Sequence, residues 1–547
     1  MESIGIALIL LLAVVVSGTL ARLSPVAIPL PLVQIALGAA IAGVTGSKVA
    51  LEPHIFFLLF LPPLLFLDGW RIPKEGLFRD KGTILELALG LVVFTVLGVG
   101  LFIHWMIPSM PLAVAFALAA IVSPTDPIAV SAITARVPIP KRVMHILEGE
   151  SLLNDASGLV CMRFAVAAAL TGTFSLTSAF GTFLWLSLGG IVIGAGVTWV
   201  VMKVKDILTR KLGEEPGSQI LVSLLIPFGA YLLAEKLHCS GILAAVAAGI
   251  TMSYAEQSGH TLAATRVRRG AVWDMVQFTL NGVIFVLFGE QLPSIVAGAA
   301  QVVTDTGHHE PIWLVIYVVA INVALALLRL LWVWVSLRFT LYRAARKGRA
   351  IAKPNWRLVV VVSLAGVRGA ITLAGILTLP LAMYDGSPFP ARDLAIFLAA
   401  GVIIASLIAA SIGLPFLLSN LELPPEPSHQ REEDAARIAA AAAAIRMVER
   451  LQHELGEGRG DADLYADVGS RLMELYRQRI NGHSKTGDEA EQAQHLEQVE
   501  RRLRLAAVRA ERDEIYRLGR ARKLSDDLVR KLVREADLME ARYASPG

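Results

Sequence analysis

Charge is scarce in this chain. Lysine, arginine, aspartate and glutamate supply only 18% of its 547 residues, and 55% are hydrophobic. Soluble domains carry about a quarter charged residues, so most of this protein meets lipid. Mean hydropathy is +0.60. Cysteine is nearly missing: Cys161 and Cys239 are the two present, both in apolar segments. A disulfide framework is thereby excluded. Basic residues fall in short loops and not along one face, which excludes a nucleic-acid partner. The apolar start lacks a leading basic residue. Glu2 precedes it and Arg22 follows it, so residues 3–22 read as a first spanning helix and not as a cleaved leader.

What is abundant is long apolar runs. A bilayer needs roughly 20 apolar residues per helix. Thirteen runs qualify: 3–22, 25–46, 54–70, 83–107, 111–135, 141–171, 177–203, 216–237, 240–256, 270–299, 311–340, 357–384 and 390–420. Loops after odd-numbered runs, with the run ends that flank them, hold 22 Lys and Arg, and those after even-numbered runs hold 3. The positive-inside rule then predicts an external N-terminus and a cytoplasmic tail, in the cell membrane.

Thirteen helices divide into six, a linking helix and six more, which leaves the second six inverted. Run 5, broken at Ser123-Pro124-Thr125-Asp126-Pro127, then corresponds to run 12, broken at Ala365-Gly366-Val367-Arg368-Gly369-Ala370. Paired interruptions in corresponding halves point to a transporter site. The expected fold is an all-α polytopic membrane protein with two inverted six-helix repeats and crossed discontinuous helices over residues 1–420. A linker, 421–429, leads to a helical cytoplasmic tail, 430–547. That tail reads as helices over 430–456, 462–480, 488–520 and 524–542. Residues 421–547 carry 22 basic and 25 acidic side chains. With no P-loop or metal motif, the tail reads as regulatory or structural.

The chemistry sits in Gly149-Glu150-Ser151-Leu152-Leu153-Asn154-Asp155-Ala156-Ser157-Gly158. A charge at mid-membrane costs roughly 2.5–3.5 kcal/mol on insertion scales, so acids there mark function. Glu150, Ser151, Asn154 and Asp155 share one sector of a helix roughly 140° wide and can face one cavity. Pro124 and Pro127 break the preceding helix beside Asp126 and free carbonyls such as that of Thr125. Sodium is a hard ion that prefers oxygen. Asp126, Asp155, the Ser151 hydroxyl and the Thr125 carbonyl therefore form the expected shell. A proton or a sodium ion can neutralise the pair of acids, and each excludes the other. Asn154, in place of a further acid, favours one ion per proton. Arg368 needs a partner at that depth, and Glu150 is the acid left over, so a structural Glu150–Arg368 ion pair is expected. Arg329, Asp274 and Glu290 are expected near helix ends at the interface, Arg163 in a pair or facing water, and Glu148 and His145 near the inner entry.

These three segments, Gly149–Gly158, Ser123–Val130 and Gly366–Ala370, together resemble the NhaP-type sodium/proton antiporters, a family that includes bacterial exchangers and the animal sodium/proton exchangers. The resemblance spans roughly residues 5–420. It implies a homodimer with a dimerisation domain and a mobile core, working by an elevator-like step, with electroneutral exchange. It also implies that Asp155 is the ion and proton carrier, that Asp126, Thr125 and Ser151 complete the ion site, and that Glu150 and Arg368 form an internal pair. No cofactor is implied beyond the transported ions.

The leading function is Na⁺ or Li⁺ exchange for H⁺, with K⁺/H⁺ exchange as the alternative, because residue types alone do not fix ion size. A sodium-coupled symporter of organic solutes would need further polar or aromatic contacts in the cavity, and the sequence offers no such cluster. An intramembrane hydrolase is disfavoured, since Ser151 has no neighbouring base and the His-Glu-x-x-His pattern is missing.

Overall fold

The structure is a computed structural model, and it describes residues 2–24, 28–45, 53–126, 130, 141–172, 176–256, 262–305, 312–346, 355–419, 427–456, 462–484 and 488–544. Among these residues the regular elements are helices. They form two compact units, Met1–Leu421 and Glu422–Gly547.

The first unit contains α1 (Glu2–Leu23), α2 (Leu30–Thr45), α3 (Pro53–Arg71), α4 (Lys74–Arg79), α5 (Lys81–Leu85), a π-helical turn (Glu86–Leu91) and α6 (Val92–Met106). It continues with α7 (Leu112–Val122), α8 (Lys141–Thr171), α9 (Leu176–Leu212), α10 (Pro216–Lys236), α11 (Gly241–Glu256), α12 (Ala263–Asp305), α13 (Ile312–Arg346), α14 (Trp356–Leu364), α15 (Ala370–Leu377) and α16 (Arg392–Leu418). Eight spans among the described residues are long and apolar enough to cross a membrane, and three shorter apolar helices accompany them. The chain is thus a multi-pass, all-helical membrane protein.

Each expected run falls on a helix, with instructive differences at the ends. Helix α9 continues to Leu212 although its apolar run stops near residue 203. Basic residues sustain helix well, and the Asp206–Arg210 pair, at 2.9 Å, adds support one turn apart. Helix α12 begins at Ala263, so Arg266, Arg268 and Arg269 stand on its first turns and not in a loop. The run expected over 111–135 is helical to Val122, after which Ser123–Asp126 is irregular. Pro127 and nearly all of the rest of that run lie outside the described residues.

Two bundles make up this unit. Helices α1–α3 pack with α9–α12, and α5–α8 pack with α13–α16. Close backbone approach builds the first bundle: Gly69 of α3 lies against the Val246 carbonyl of α11, and Gly249 of α11 against the Phe66 carbonyl of α3. Any side chain at either position would push the two helices apart. The bundles meet where α3 touches α8 and α15, and where α12 touches α16.

The π turn Glu86–Leu91 lies between α5 and α6 and packs on α8. Just before it, Ile84 rests on Gly149; within it, Gly90 rests on the Trp332 ring of α13.

The second unit contains α17 (Pro427–Gly456), α18 (Ala462–Ser484), α19 (Asp488–Arg520) and α20 (Asp526–Ala544), close to the boundaries read from sequence. Helix α17 pairs with α18, and α19 with α20. His483 lies 3.0 Å from Asp434 across the first pair. Arg509 and Arg512 bind Glu540 across the second.

Candidate functional site

The two interrupted helices are joined to each other. Helix α7 stops before Pro124, and α14 stops at Leu364, with α15 resuming at Ala370. Helix ends leave unsatisfied amides and carbonyls, which must find partners at membrane depth. Here they find them across the break. The Asp126 amide donates to the Val367 carbonyl at 2.7 Å. Arg368 Nε donates to the Val122 carbonyl at 2.8 Å, and its guanidinium also binds the Gly366 carbonyl. The Arg368 amide donates to Ser406 Oγ of α16 at 3.2 Å. Gly369 is required at this crossing, since a Cβ there would overlap the Asp126 carboxylate.

Helix α8 runs alongside. Glu150, Ser151, Asn154 and Asp155 are all buried, on one side of that helix. Ser151 Oγ donates to the Thr125 carbonyl at 2.7 Å, and Asn154 Nδ2 donates to Thr125 Oγ1 at 3.0 Å. Asn154 Oδ1 is buried and accepts no hydrogen bond from the described residues. Close contact of the two helices is allowed by Gly158, which packs on Pro124 and the Ala120 carbonyl. The Thr125 carbonyl thus accepts the Ser151 hydroxyl hydrogen and keeps a second lone pair.

The expected Glu150–Arg368 pair is corrected by the geometry. Glu150 binds Arg329 of α13 through both oxygens, Nη1–Oε1 at 2.5 Å and Nη2–Oε2 at 2.7 Å. Arg329 Nε also donates to the Val362 carbonyl at 3.1 Å. The physical reason is that the freed carbonyls of the two breaks occupy the Arg368 guanidinium, so Glu150 takes the other buried cation. Arg329 was expected at the interface and is only 3% exposed; Glu290, expected there too, is 6% exposed. Asp274 is exposed and pairs with Arg71. Arg163 pairs with Glu235 at 3.3 Å.

One acid escaped the sequence reading. Asp68 lies near the end of α3, the helix that touches α8 and α15 of the other bundle. The signal was present: an acid inside a predicted span, the same criterion that singled out Asp126. Among the described residues no three His, Cys, Asp or Glu side chains close into a metal-ligand cluster.

A pair of cross-braced helix breaks beside buried acids is the arrangement of a cation transporter. The sequence model of the sodium/hydrogen exchanger transmembrane family matches residues 7–420. The chain belongs to that family. Its members are cation/proton antiporters, transporters and not enzymes. An uncharacterised Na⁺/H⁺ exchanger of Escherichia coli K12, YjcE, is 41% identical over 547 residues, covering 99% of each chain. A sodium, potassium, lithium and rubidium/H⁺ antiporter of Bacillus subtilis 168 is 36% identical over 553 residues, covering 100% of this chain and 79% of that protein. In fold, the exchanger resembles the sodium/proton antiporter MjNhaP1 of Methanocaldococcus jannaschii, with a TM-score of 0.60 at 20% identity over 77% of this chain and 99% of that one.

Proposed function

We propose that this antiporter exchanges Na⁺ or Li⁺ for H⁺ one for one, with Asp155 as the carrier of both. The observation that carries the reading is the junction of the two broken helices at Asp126–Val367, with Asp155 buried beside it on α8. A dehydrated cation there meets oxygens from Asp155, Asp126, Ser151 and Thr125, with Ser151 and Asn154 both hydrogen-bonded to Thr125. Crowded like charges cannot all stay ionised in a low-dielectric site, so a proton and a cation compete for them. Asp68 supplies a third carboxyl from the other bundle. One ion per proton makes the exchange electroneutral.

The two bundles give the movement its natural division. Helices α5–α8 and α13–α16 hold Asp126, Asp155 and Arg368, and shift as an elevator-like core against α1–α3 and α9–α12. In this reading thirteen spans form two inverted repeats over residues 1–420, residues 421–429 link, and residues 430–547 are a cytoplasmic tail. The N-terminus lies outside, and the protein is a lipid-embedded homodimer of the cell membrane. The loop charges support the orientation.

A second reading, exchange of K⁺ as well, draws on the B. subtilis relative, whose name includes potassium and rubidium. A cation panel in everted vesicles tests both. Sodium and lithium should dissipate an imposed pH gradient, and the Asp155→Asn variant should not respond. A response to potassium alone would overturn the leading reading.

A further inference from the structure

Helix α3, which carries Asp68, touches α8 and α15 of the ion-site bundle, yet most of its contacts lie with α10–α12. Gly69 and Gly249 bring α3 and α11 together backbone to backbone. Such a glycine-lined seam holds two helices close but offers few side-chain ridges to stop one from sliding or turning on the other. Hydrogen bonds, ion pairs and ring contacts must supply that resistance, and they cluster just beyond Asp68. Trp70 Nε1 donates to Glu256 Oε2 at 2.9 Å, at the end of α11. Arg269 of α12 pairs with the other Glu256 oxygen and lies over the Trp70 ring, 5.7 Å from its centroid. Trp273, one turn further along α12, is fully buried against Phe66 and Trp70. Arg71 binds Gln277 at 2.8 Å and Asp274.

Arg269 is 1% exposed. A buried guanidinium is costly to keep, and removing one member of its pair strands the other. Trp70 stands two residues after Asp68, hence about 200° around the helix. Fixing Trp70 to α11 and α12 therefore turns Asp68 away from that seam, on a helix whose other neighbours include α8 and α15.

We propose that Arg269, acting with Glu256 through Trp70, is a positioning residue for the Asp68 carboxyl, setting the rotation and height at which α3 offers it to the transported cation. This rests on the reading of Asp68 as part of the ion site.

The test measures cation-driven pH-gradient dissipation in everted vesicles, with the amount of exchanger in the membrane determined alongside. Arg269→Gln should raise the half-saturating Na⁺ concentration by about fivefold, the scale of coupling between groups in one contact network. The maximal rate per exchanger should stay within a factor of about two. Arg269→Lys, which keeps the charge beside Glu256, should recover most of the affinity. Trp70→Phe keeps an aromatic ring and loses the N–H to Glu256; it should shift affinity in the same direction and decides the matter if Arg269→Gln fails to reach the membrane. A fall in maximal rate or membrane level with half-saturation unchanged in both variants would overturn the positioning role. Asp68→Asn separates the two layers. If it leaves transport unaltered, the reading of Asp68 falls and the inference with it. If it impairs transport while the Arg269 and Trp70 variants keep wild-type affinity, the inference alone falls.

Discussion

Glu150 and Arg329 face each other through a two-toothed ion pair, both almost fully withdrawn from solvent. The pair ties α8, which carries Asp155, to α13, and Arg329 extends the tie to the Val362 carbonyl at the end of α14. A buried pair of this kind contributes little net stability, but breaking it strands a charge. Glu150→Gln or Arg329→Met alone should each destabilise the detergent-solubilised exchanger by about 3–5 kcal/mol. The double variant should regain much of that loss, as thermal unfolding monitored by intrinsic fluorescence will report.

Arg368→Ala should act differently. Its guanidinium satisfies the Val122 and Gly366 carbonyls at the two helix breaks and not a carboxylate. Losing it leaves freed carbonyls unpaired, at about 1–3 kcal/mol for each buried acceptor. Glu150→Gln in that background should cost less than it does alone, because Gly366, whose carbonyl binds Arg368, also packs on the Arg329 side chain and brings the three charged groups into one network. Strictly additive thermal shifts would contradict this coupling.

Asp155→Asn should abolish cation-driven proton movement while leaving the folded, membrane-inserted protein intact. Dye quenching in everted vesicles reads the first, and size-exclusion chromatography the second.

Gly369→Ala should weaken cation binding without removing any polar group. The added methyl would occupy the place of the Asp126 carboxylate, which must then move. A rise in half-saturating sodium concentration at unchanged protein level is expected; wild-type kinetics would show that the Asp126 position is not critical.

In the second unit, Arg509 first and then Arg512 hold the Glu540 carboxyl below its ordinary value of 4.5. A depressed acid stabilises the folded state above its unfolded value, and that contribution fades as pH falls through the folded value. Glu540→Gln should therefore speed amide exchange in α20 near neutral pH, and the difference from wild type should vanish in strong acid. Hydrogen exchange on the full-length protein follows both.

Much of this was legible from residue order. Long apolar runs can satisfy their backbone at membrane depth only as helices, and the described parts of the runs are helical except at the two breaks and toward some run ends. The breaks were legible because proline at 124 and the Gly-Val-Arg-Gly stretch at 366–369 cannot continue a helix comfortably. Partner choice was not. That Arg368 goes to carbonyls and Arg329 to Glu150 depends on which helices lie adjacent, which no local pattern encodes. Arg269 looked like a loop cation for the same reason: its burial follows from the packing of α3, α11 and α12. The π turn left no sequence mark at all.

That turn has a consequence for chain length. A π turn holds one residue more than the α-helical turn it replaces, so it offsets the faces on its two sides by about 100°. The offset lets Ile84 meet Gly149, next to Glu150, while Gly90 meets Trp332, one turn from Arg329. Removing a single residue between them, Ala88 for example, would straighten the segment and swing one of the two contacts to the wrong side. Here the count of residues, more than their kind, keeps both halves of the deep ion pair supported at once.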